Sequence, residues 1–512
     1  MQTNVVVGGG SAGAILGARL SEDPTLNVIV LEAGPDYESE DATPRDLLDA
    51  KNLGGPTHQW GYLSVPIEGR TMPYPRGKVV GGTGAINAAA ILWPRPSDFE
   101  AWADIGLSDW AWDKVRSHFT RLEADPNCQG NHHGRTGPIP IERYDRSELI
   151  PIQRAFYDGC VAEGFAKVDD QNDLTSSGVG PFPMNRRGDT RISTVFTHLN
   201  EARARDNFTL QCNRTVDRLV LDGSRVTGVR LSDGTIQGAD VVTLCAGAIG
   251  TPCILMRSGI GPAADLEKLG IRVEIDLPGV GARIWDHAAV PIRLVPLEGE
   301  CVIGRDPRMQ IMARFTAPGS SVKDDMQLVM TSHLDLTGAQ QLIDEAGVNV
   351  VAALRVALML PNGHGRLTLS GSGVEAPPKI DLNYCSDAED ERRLMEGTRL
   401  GWKILSSEPM AGAYVRVAGL SDNIVKDDDA LRAYIRANIG TYCHASGTVP
   451  IGPEGDELAA LDQRCKVRGT SNLFVADASV FPRIPSAIPH LTVMMVAERV
   501  ASIQKQQADI QS

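Results

Sequence analysis

The stretch "NVVVGGGSAGAILGARL", Asn4 to Leu20, constrains this chain more than any other. A short β-branched run, Val5 to Val7, flows into glycines and then into a segment of helical period. Gly8, Gly10 and Gly13 form G-x-G-x-x-G at the join. Gly8 permits the tight turn, Gly10 lets the backbone approach a pyrophosphate, and Gly13 lets the helix pack close to the strand. Ser11 and Ala12 open the helix, whose free N–H groups and positive dipole end suit phosphates. A second strand in "NVIVLEAG" ends at Glu32 and Ala33, about twenty residues past the glycines. A carboxylate there accepts hydrogen bonds from ribose hydroxyls and repels a 2′-phosphate, which disfavours NADP. The pattern predicts a Rossmann-like α/β fold around an ADP-containing cofactor, with NAD and FAD both open.

Composition narrows the class. The chain has 512 residues, enough for two domains or one large nucleotide-binding enzyme with inserted elements. Apolar residues make up 42%, ample for a packed core. A formal charge of −14 argues against a broad nucleic-acid surface, which needs basic patches. No run of apolar residues is long enough to span a membrane, and the N-terminus lacks the basic region of a signal peptide. The nine cysteines are scattered without a C-x-x-C pair, so neither a zinc site nor a disulfide framework is predicted. A reduced, soluble, cytoplasmic protein is the resulting expectation.

Two further blocks separate FAD from NAD. "GKVVGGTGAIN" is a loop of small residues through which backbone can approach a flat ligand, with Asn87 adding an amide that donates and accepts. Gly77, Lys78, Val80, Gly81, Gly82, Thr83, Gly84, Ile86 and Asn87, with Pro94 and Glu100, resemble the first signature of the glucose–methanol–choline (GMC) oxidoreductases. "GAIGTPCILMRSGIG", from Gly247 to Gly261, matches that family's second signature without a gap. "LPGVGARIWDHAAVPI" resembles its segment ending in Asp-His, and the tail resembles its closing strand, turn and helix. The resemblance runs from residue 4 to about 503.

The family binds FAD. By resemblance, Gly8, Gly10, Ser11, Ala12, Gly13, Glu32 and Ala33 hold the ADP half, and Val216 meets the adenine through its backbone. Gly82, Asn87 and Ala88 lie along the isoalloxazine and ribityl side, with Asp477 and Ala478 by the pyrophosphate and ribityl chain. In the choline oxidase-like branch a flavin-linking histidine precedes the asparagine. Here that position is Ile86, so non-covalent FAD is expected.

His444, in H-x-x-G-T, falls on the family's catalytic histidine, and His490 falls where other members carry asparagine or histidine. The resemblance implies oxidation of the CH–OH group of an alcohol or sugar, with hydride passing to flavin N5. His444 then serves as general base and His490 orients the hydroxyl, both facing one flavin edge. Two alternatives share the scaffold: an oxynitrilase-type lyase and a non-catalytic flavoprotein. The electron acceptor stays open. Cys443 reads as packing, since hydride transfer needs no thiol nucleophile. The pair His132 and His133 reads as a solvated turn rather than a metal site, and "VKDDDALRAY" as a solvated helix start.

Cofactor motifs at both ends of the chain imply a discontinuous FAD-binding domain, residues 1–287 and 429–512, with inserted pieces near 45–75 and 140–200. Alternating runs such as "AALRVALML" and "RLTLSGSG" predict a sheet within a discontinuous α+β substrate-binding domain, residues 288–428. Residues 189–199 adjoin that sheet, which roofs the flavin.

Overall fold

The structure, a computed structural model, describes residues 1–128 and 132–511. The N-terminal run is buried as its composition requires, and Gln2–Val7 lies at the middle of a five-stranded parallel sheet. Strand order is Phe208–Gln211, Leu26–Leu31, Gln2–Val7, Val241–Leu244, Leu473–Val475. Chain from both ends of the sequence therefore meets in one sheet.

Register decides where the loops emerge. Val7 pairs with Leu31 and Leu244, Leu31 with Gln211, and Leu244 with Val475, so the carboxyl ends are aligned. The glycine loop, Glu32, Gly247 and Asp477 all leave the sheet at that common edge, the crevice where open α/β sheets bind ligands. Helix Ser11–Leu20 packs on helix His490–Gln511, and Arg19 joins them by an ion pair to Glu498 at 2.8 Å.

A second, seven-stranded antiparallel sheet runs in the order Arg416–Ala418, Ala288–Val295, Val350–Leu358, Met326–Asp335, Ile311–Phe315, Gly178–Pro181, with Gly440–Thr441 also on Ala288–Val295. Helix Ala388–Leu405 covers one face: Gly397 approaches Val356 and Met326, and Gly401 approaches Ile292 and Leu354. Because side chains alternate along a strand, Ala289, Gln327, Arg355 and Ala357 face the other way. That face looks onto C-terminal loops, since Gln327 Nε2 donates to the Ser486 carbonyl (3.4 Å) and Arg355 Nη2 to the Thr441 carbonyl (2.8 Å).

Sheet membership crosses the domain limits expected from sequence. Gly178–Pro181 and Gly440–Thr441 join this sheet from outside 288–428. Arg366–Thr368, from inside that span, pairs only with Lys379–Asp381, and Leu367 and Ile380 pack into the core beneath the parallel sheet. Among the described residues no helix is long and apolar enough to cross a membrane, and all nine cysteines are free thiols. The acidic run behaves as read: Asp427 caps helix Asp428–Asn438 by accepting from the Ala430 N–H at 2.9 Å.

The histidine pair requires a correction. His133 is buried, not solvated. Its Nδ1 bonds Glu123 and its Nε2 bonds Asp170, each at 2.8 Å, and Arg143 forks onto Asp125 at 3.0 and 2.8 Å while reaching Asp170 at 2.7 Å. Burial alone would lower the His133 pKa, but the bonds to Asp170 and Glu123 override it and hold it near 9. Asp125, Cys128, His133 and Asp170 have metal-ligand spacing. With both imidazole nitrogens donating to carboxylates, however, the cluster is an ion-pair network. The polar sequence hid it because the partners lie up to 37 positions away. Arg143→Met, which strands Asp125 and Asp170, should cost about 3–5 kcal/mol in chemical denaturation, the loss typical of a broken buried pair. A double variant Arg143→Met/Asp125→Leu should recover part of it.

Candidate active site

Two glycine loops meet at the crevice. Gly8 has φ +103°, and a Cβ there would sit 2.5 Å from the Cys245 carbonyl oxygen. Gly81 N–H donates to the Gly9 carbonyl at 2.8 Å, and a Cβ on Gly82 would lie 2.8 Å from Gly10 Cα. Gly10 caps helix Ser11–Leu20 without any side-chain bond, leaving its first N–H groups for an anion. The bareness of this cradle fits a pyrophosphate.

Glu32 sits beside it. Its carboxylate accepts from Gly9 N–H and Gly34 N–H, both at 2.8 Å, and the Ala33 N–H also faces it. Burial raises its pKa to about 7 against these bonds. Each oxygen keeps a lone pair for a ribose hydroxyl. The strand after Gln211 is tied to Glu32 by the Arg214 N–H, which donates to its carbonyl at 2.8 Å, placing Val216 two residues from the carboxylate's own backbone.

Ser11, Gly84 and His490 converge. Ser11 Oγ and His490 Nε2 are 3.0 Å apart, and a Cβ on Gly84 would meet both. Asn87 Nδ2 donates to His490 Nδ1 at 3.3 Å, its orientation set because Oδ1 accepts from Ala89 N–H at 2.8 Å. Both nitrogens of His490 are thus engaged. Ala12 is buried in the helix behind the cradle, and Ala88 is half-buried beside Asn87.

Asp477 is held by four protein donors. Oδ2 accepts from Gly247 N–H (2.9 Å) and Thr251 Oγ1 (2.6 Å), and Oδ1 from Ser479 N–H (2.8 Å) and Oγ (2.5 Å). It ties the second signature's helix to the tail. The Ala478 carbonyl accepts from Gly447 N–H at 2.9 Å, joining that tail to the H-x-x-G-T loop.

That loop explains its own spacing. Gly447 has φ +73°, and a Cβ would strike Trp285 Cδ1 at 2.5 Å; Thr448 Oγ1 donates to the Ala248 carbonyl at 2.7 Å. Cys443 is itself in the left-handed region (φ +62°), a costly conformation for a non-glycine, immediately before His444. Burial raises the Cys443 thiol pKa, which suits packing rather than attack.

His444 is half-buried. Asp286 anchors it. Oδ1 accepts from the main-chain N–H of His444 (2.7 Å) and His287 (2.8 Å), and Oδ2 from Tyr74 (2.9 Å), Tyr384 (2.7 Å) and Thr441 hydroxyls. The Asp-His dipeptide was visible as a family segment, but its partners were not.

The imidazoles of His287 and His444 meet Nδ1 to Nδ1 at 2.8 Å, and His287 Nε2 lies 3.1 Å from the Pro485 carbonyl. A carbonyl only accepts, so His287 carries its proton on Nε2 and presents a bare Nδ1. His444 must then hold its proton on Nδ1, leaving Nε2 as a lone pair. Burial lowers His287 to about 3 and, with His287, Arg76 and Arg355 nearby, lowers His444 well below the usual histidine range. Burial and then Arg191 lower His490 to about 4. All three are neutral at physiological pH. The structure brings His444 to His287 and His490 to Ser11; segment 485–490 links the two centres.

A bare glycine cradle at the carboxyl edge of a parallel sheet, with Glu32 beside it and neutral histidines nearby, is the arrangement of an α/β dinucleotide-binding enzyme. Sequence profiles described as GMC oxidoreductase match residues 2–289 and 361–497. The chain belongs to the GMC oxidoreductase family. It is 34% identical over 506 residues to an uncharacterised GMC-type oxidoreductase of Rhodococcus erythropolis, covering 98% of this chain and 97% of that protein. It is 31% identical over 529 residues to a 5-(hydroxymethyl)furfural oxidase of Methylovorus sp., covering 97% of both. The crystal structure of pyridoxine 4-oxidase from Mesorbium loti superposes with a TM-score of 0.89 at 27% identity, covering 99% of each chain. This chain is accordingly an FAD-dependent oxidoreductase acting on CH–OH donors.

Asp286→Ala should slow flavin reduction about 10²-fold, the cost of roughly 1 Å of misplacement in a reacting group. Asp286→Asn should recover much of that, since its amide oxygen still accepts the main-chain N–H groups. Equal losses in stopped-flow assays would mean that Asp286 does not act by placing His444.

Proposed function

We propose that the protein oxidises the carbinol of a small-molecule alcohol, with His444 as general base, His490 as orienting group and FAD held non-covalently. The observation that carries this reading is the hydrogen-bond chain from the Pro485 carbonyl through His287 to His444, which leaves His444 Nε2 unprotonated. An alcohol is far too weak an acid to ionise near neutrality, so the proton must be taken up as the C–H bond breaks. His444 Nε2 receives it, and the imidazolium keeps its Nδ1–H bond to His287.

FAD, when bound, supplies the acceptor for the hydride. Gly8, Gly10, Ser11 and Gly13 would hold its pyrophosphate side, Glu32 and Ala33 its adenosine ribose, Val216 its adenine, and Gly82 its ribityl side. Asn87 and Ala88 would lie along the flavin side. Asp477 would act through the helix Gly247–Arg257 that it caps, with Ala478 bordering the same loop. Both nitrogens of His490 already have partners, so it contributes a hydrogen bond to the hydroxyl by exchanging its Ser11 contact. That is an orienting role, and it leaves His444 as the base. Two relatives bear the names of oxidases of 5-(hydroxymethyl)furfural and pyridoxine, which supports a small alcohol as substrate.

Ile86 packs with Leu47, Val79 and Ala85 and offers no nucleophile to the flavin. Acid or heat should therefore release free FAD from the yellow protein, and flavin precipitating with the chain would contradict non-covalent binding.

His444→Ala should slow anaerobic flavin reduction by alcohol ~10²–10⁴-fold with FAD retained. His490→Asn should lose much less, and His490→Ala more than His490→Asn. The reverse ranking would move the base to His490. Because the His444 pKa is depressed, its neutral form persists as pH falls through the ordinary histidine range. The wild-type reduction rate should thus be flat from about pH 6 to 9, where an unperturbed histidine would titrate. An acid limb centred near 6.5 would overturn the electrostatic account.

A further inference from the structure

Several buried arginines of this acidic chain pair with carboxylates, as in Arg257–Asp217 and Arg393–Asp325. The partly buried Arg355 does not. It stands on the face of the antiparallel sheet turned toward the C-terminal loops, flanked by the small residues Ala353 and Ala357. Its guanidinium lies 4.1 Å over the Tyr442 ring, and that ring meets His444 edge-on at 5.6 Å. Cation and base are therefore separated by no more than those two spans together. One N–H group is used on the Thr441 carbonyl; no carboxylate lies within ion-pair distance of Arg355 among the described residues.

Its surroundings repeat the sign. Burial and the charge of Arg355 pull the Arg308 pKa down to about 10, so these two cations repel one another. Arg308 has only the His333 carbonyl as a side-chain partner, at 2.8 Å. Arg76, stacked on Tyr74 at 4.6 Å, adds a third positive charge near His444. Asp286, the carboxylate that anchors His444, is occupied by five protein donors and pairs with none of these arginines. The buried hydroxyl of Tyr442, whose ring contacts both Arg355 and His444, has no hydrogen-bond partner among the described residues.

Uncompensated cations are costly to bury, and a charge-assisted bond to an anion offsets that cost. Resting on the reading of His444 as base, we propose that Arg355, supported by Arg308, is an anion-binding subsite, and that the substrate is an alcohol bearing a carboxylate. The carboxylate seats on the Arg355 guanidinium while the carbinol, about one ring's width away, reaches His444 Nε2. Arg308 raises the local potential, and the Tyr442 hydroxyl supplies a neutral donor.

The test uses the FAD-loaded protein and ligand pairs differing only in charge. 4-Methylbenzoate and 4-methylbenzamide, which carry no carbinol, are titrated while flavin absorbance is followed, together with butanoate and butanamide. Turnover of 4-(hydroxymethyl)benzoate and 4-(hydroxymethyl)benzamide is measured in parallel. Wild type should bind a carboxylate about ten- to a hundredfold more tightly than its amide, the range of a hydrogen bond to a charged group. That preference should shrink with added salt, fall sharply in Arg355→Met and survive in part in Arg355→Lys. Absence of any carboxylate preference in wild type, including absence of binding, overturns the subsite. So does a preference unchanged in folded Arg355→Met. If Arg355→Met does not fold, the wild-type comparison and Arg355→Lys decide. Binding selectivity is independent of turnover: failure to oxidise any alcohol, with carboxylate selectivity intact, would sink the base reading and leave the subsite standing.

Discussion

The Asp286 carboxylate is the constraint on which the catalytic geometry depends. Its two oxygens collect main-chain N–H groups from two histidines and hydroxyls from three separate chain segments. A buried carboxylate is tolerable only when so satisfied, and the satisfaction is what positions His444. The loop it holds carries a left-handed cysteine and a glycine against Trp285, so its path is set by contacts elsewhere rather than by local preference.

Protonation follows from that placement. The Pro485 carbonyl dictates the tautomer of His287, which dictates that of His444. Burial and neighbouring cations then keep the imidazole neutral. His444 is thus a neutral imidazole with an unprotonated Nε2 before substrate arrives, as the proposed role of base requires. One of the arginines that depress its pKa, Arg355, is also the group proposed to bind an anion.

The crevice itself is a matter of backbone proximity. Two glycine loops distant in sequence run side by side, with Gly81 bonded to Gly9 and Gly82 against Gly10. Aligned strand ends bring Glu32, Gly247 and Asp477 to the same edge. The antiparallel sheet reaches the C-terminal loops through Gln327 and Arg355.

The parallel sheet, the glycine cradle and the place of Glu32 beside it were legible in the sequence by itself, and resemblance marked His444 and His490 as site candidates. Those features are local: a β-branched run, a glycine spacing and a short motif each have a physical requirement within a few residues. Three things were decided only by tertiary structure. Asp477, expected beside the cofactor, makes two of its four bonds to Gly247 and Thr251, some 230 positions earlier. His133 reads as a solvated turn, yet it is a buried cation between carboxylates. His287, Asp286 and Arg355 had no role legible in their own neighbourhoods, because tautomer, anchoring and charge balance depend on which distant groups fold against them. Burial makes those long-range partners decisive, and a linear pattern does not record burial.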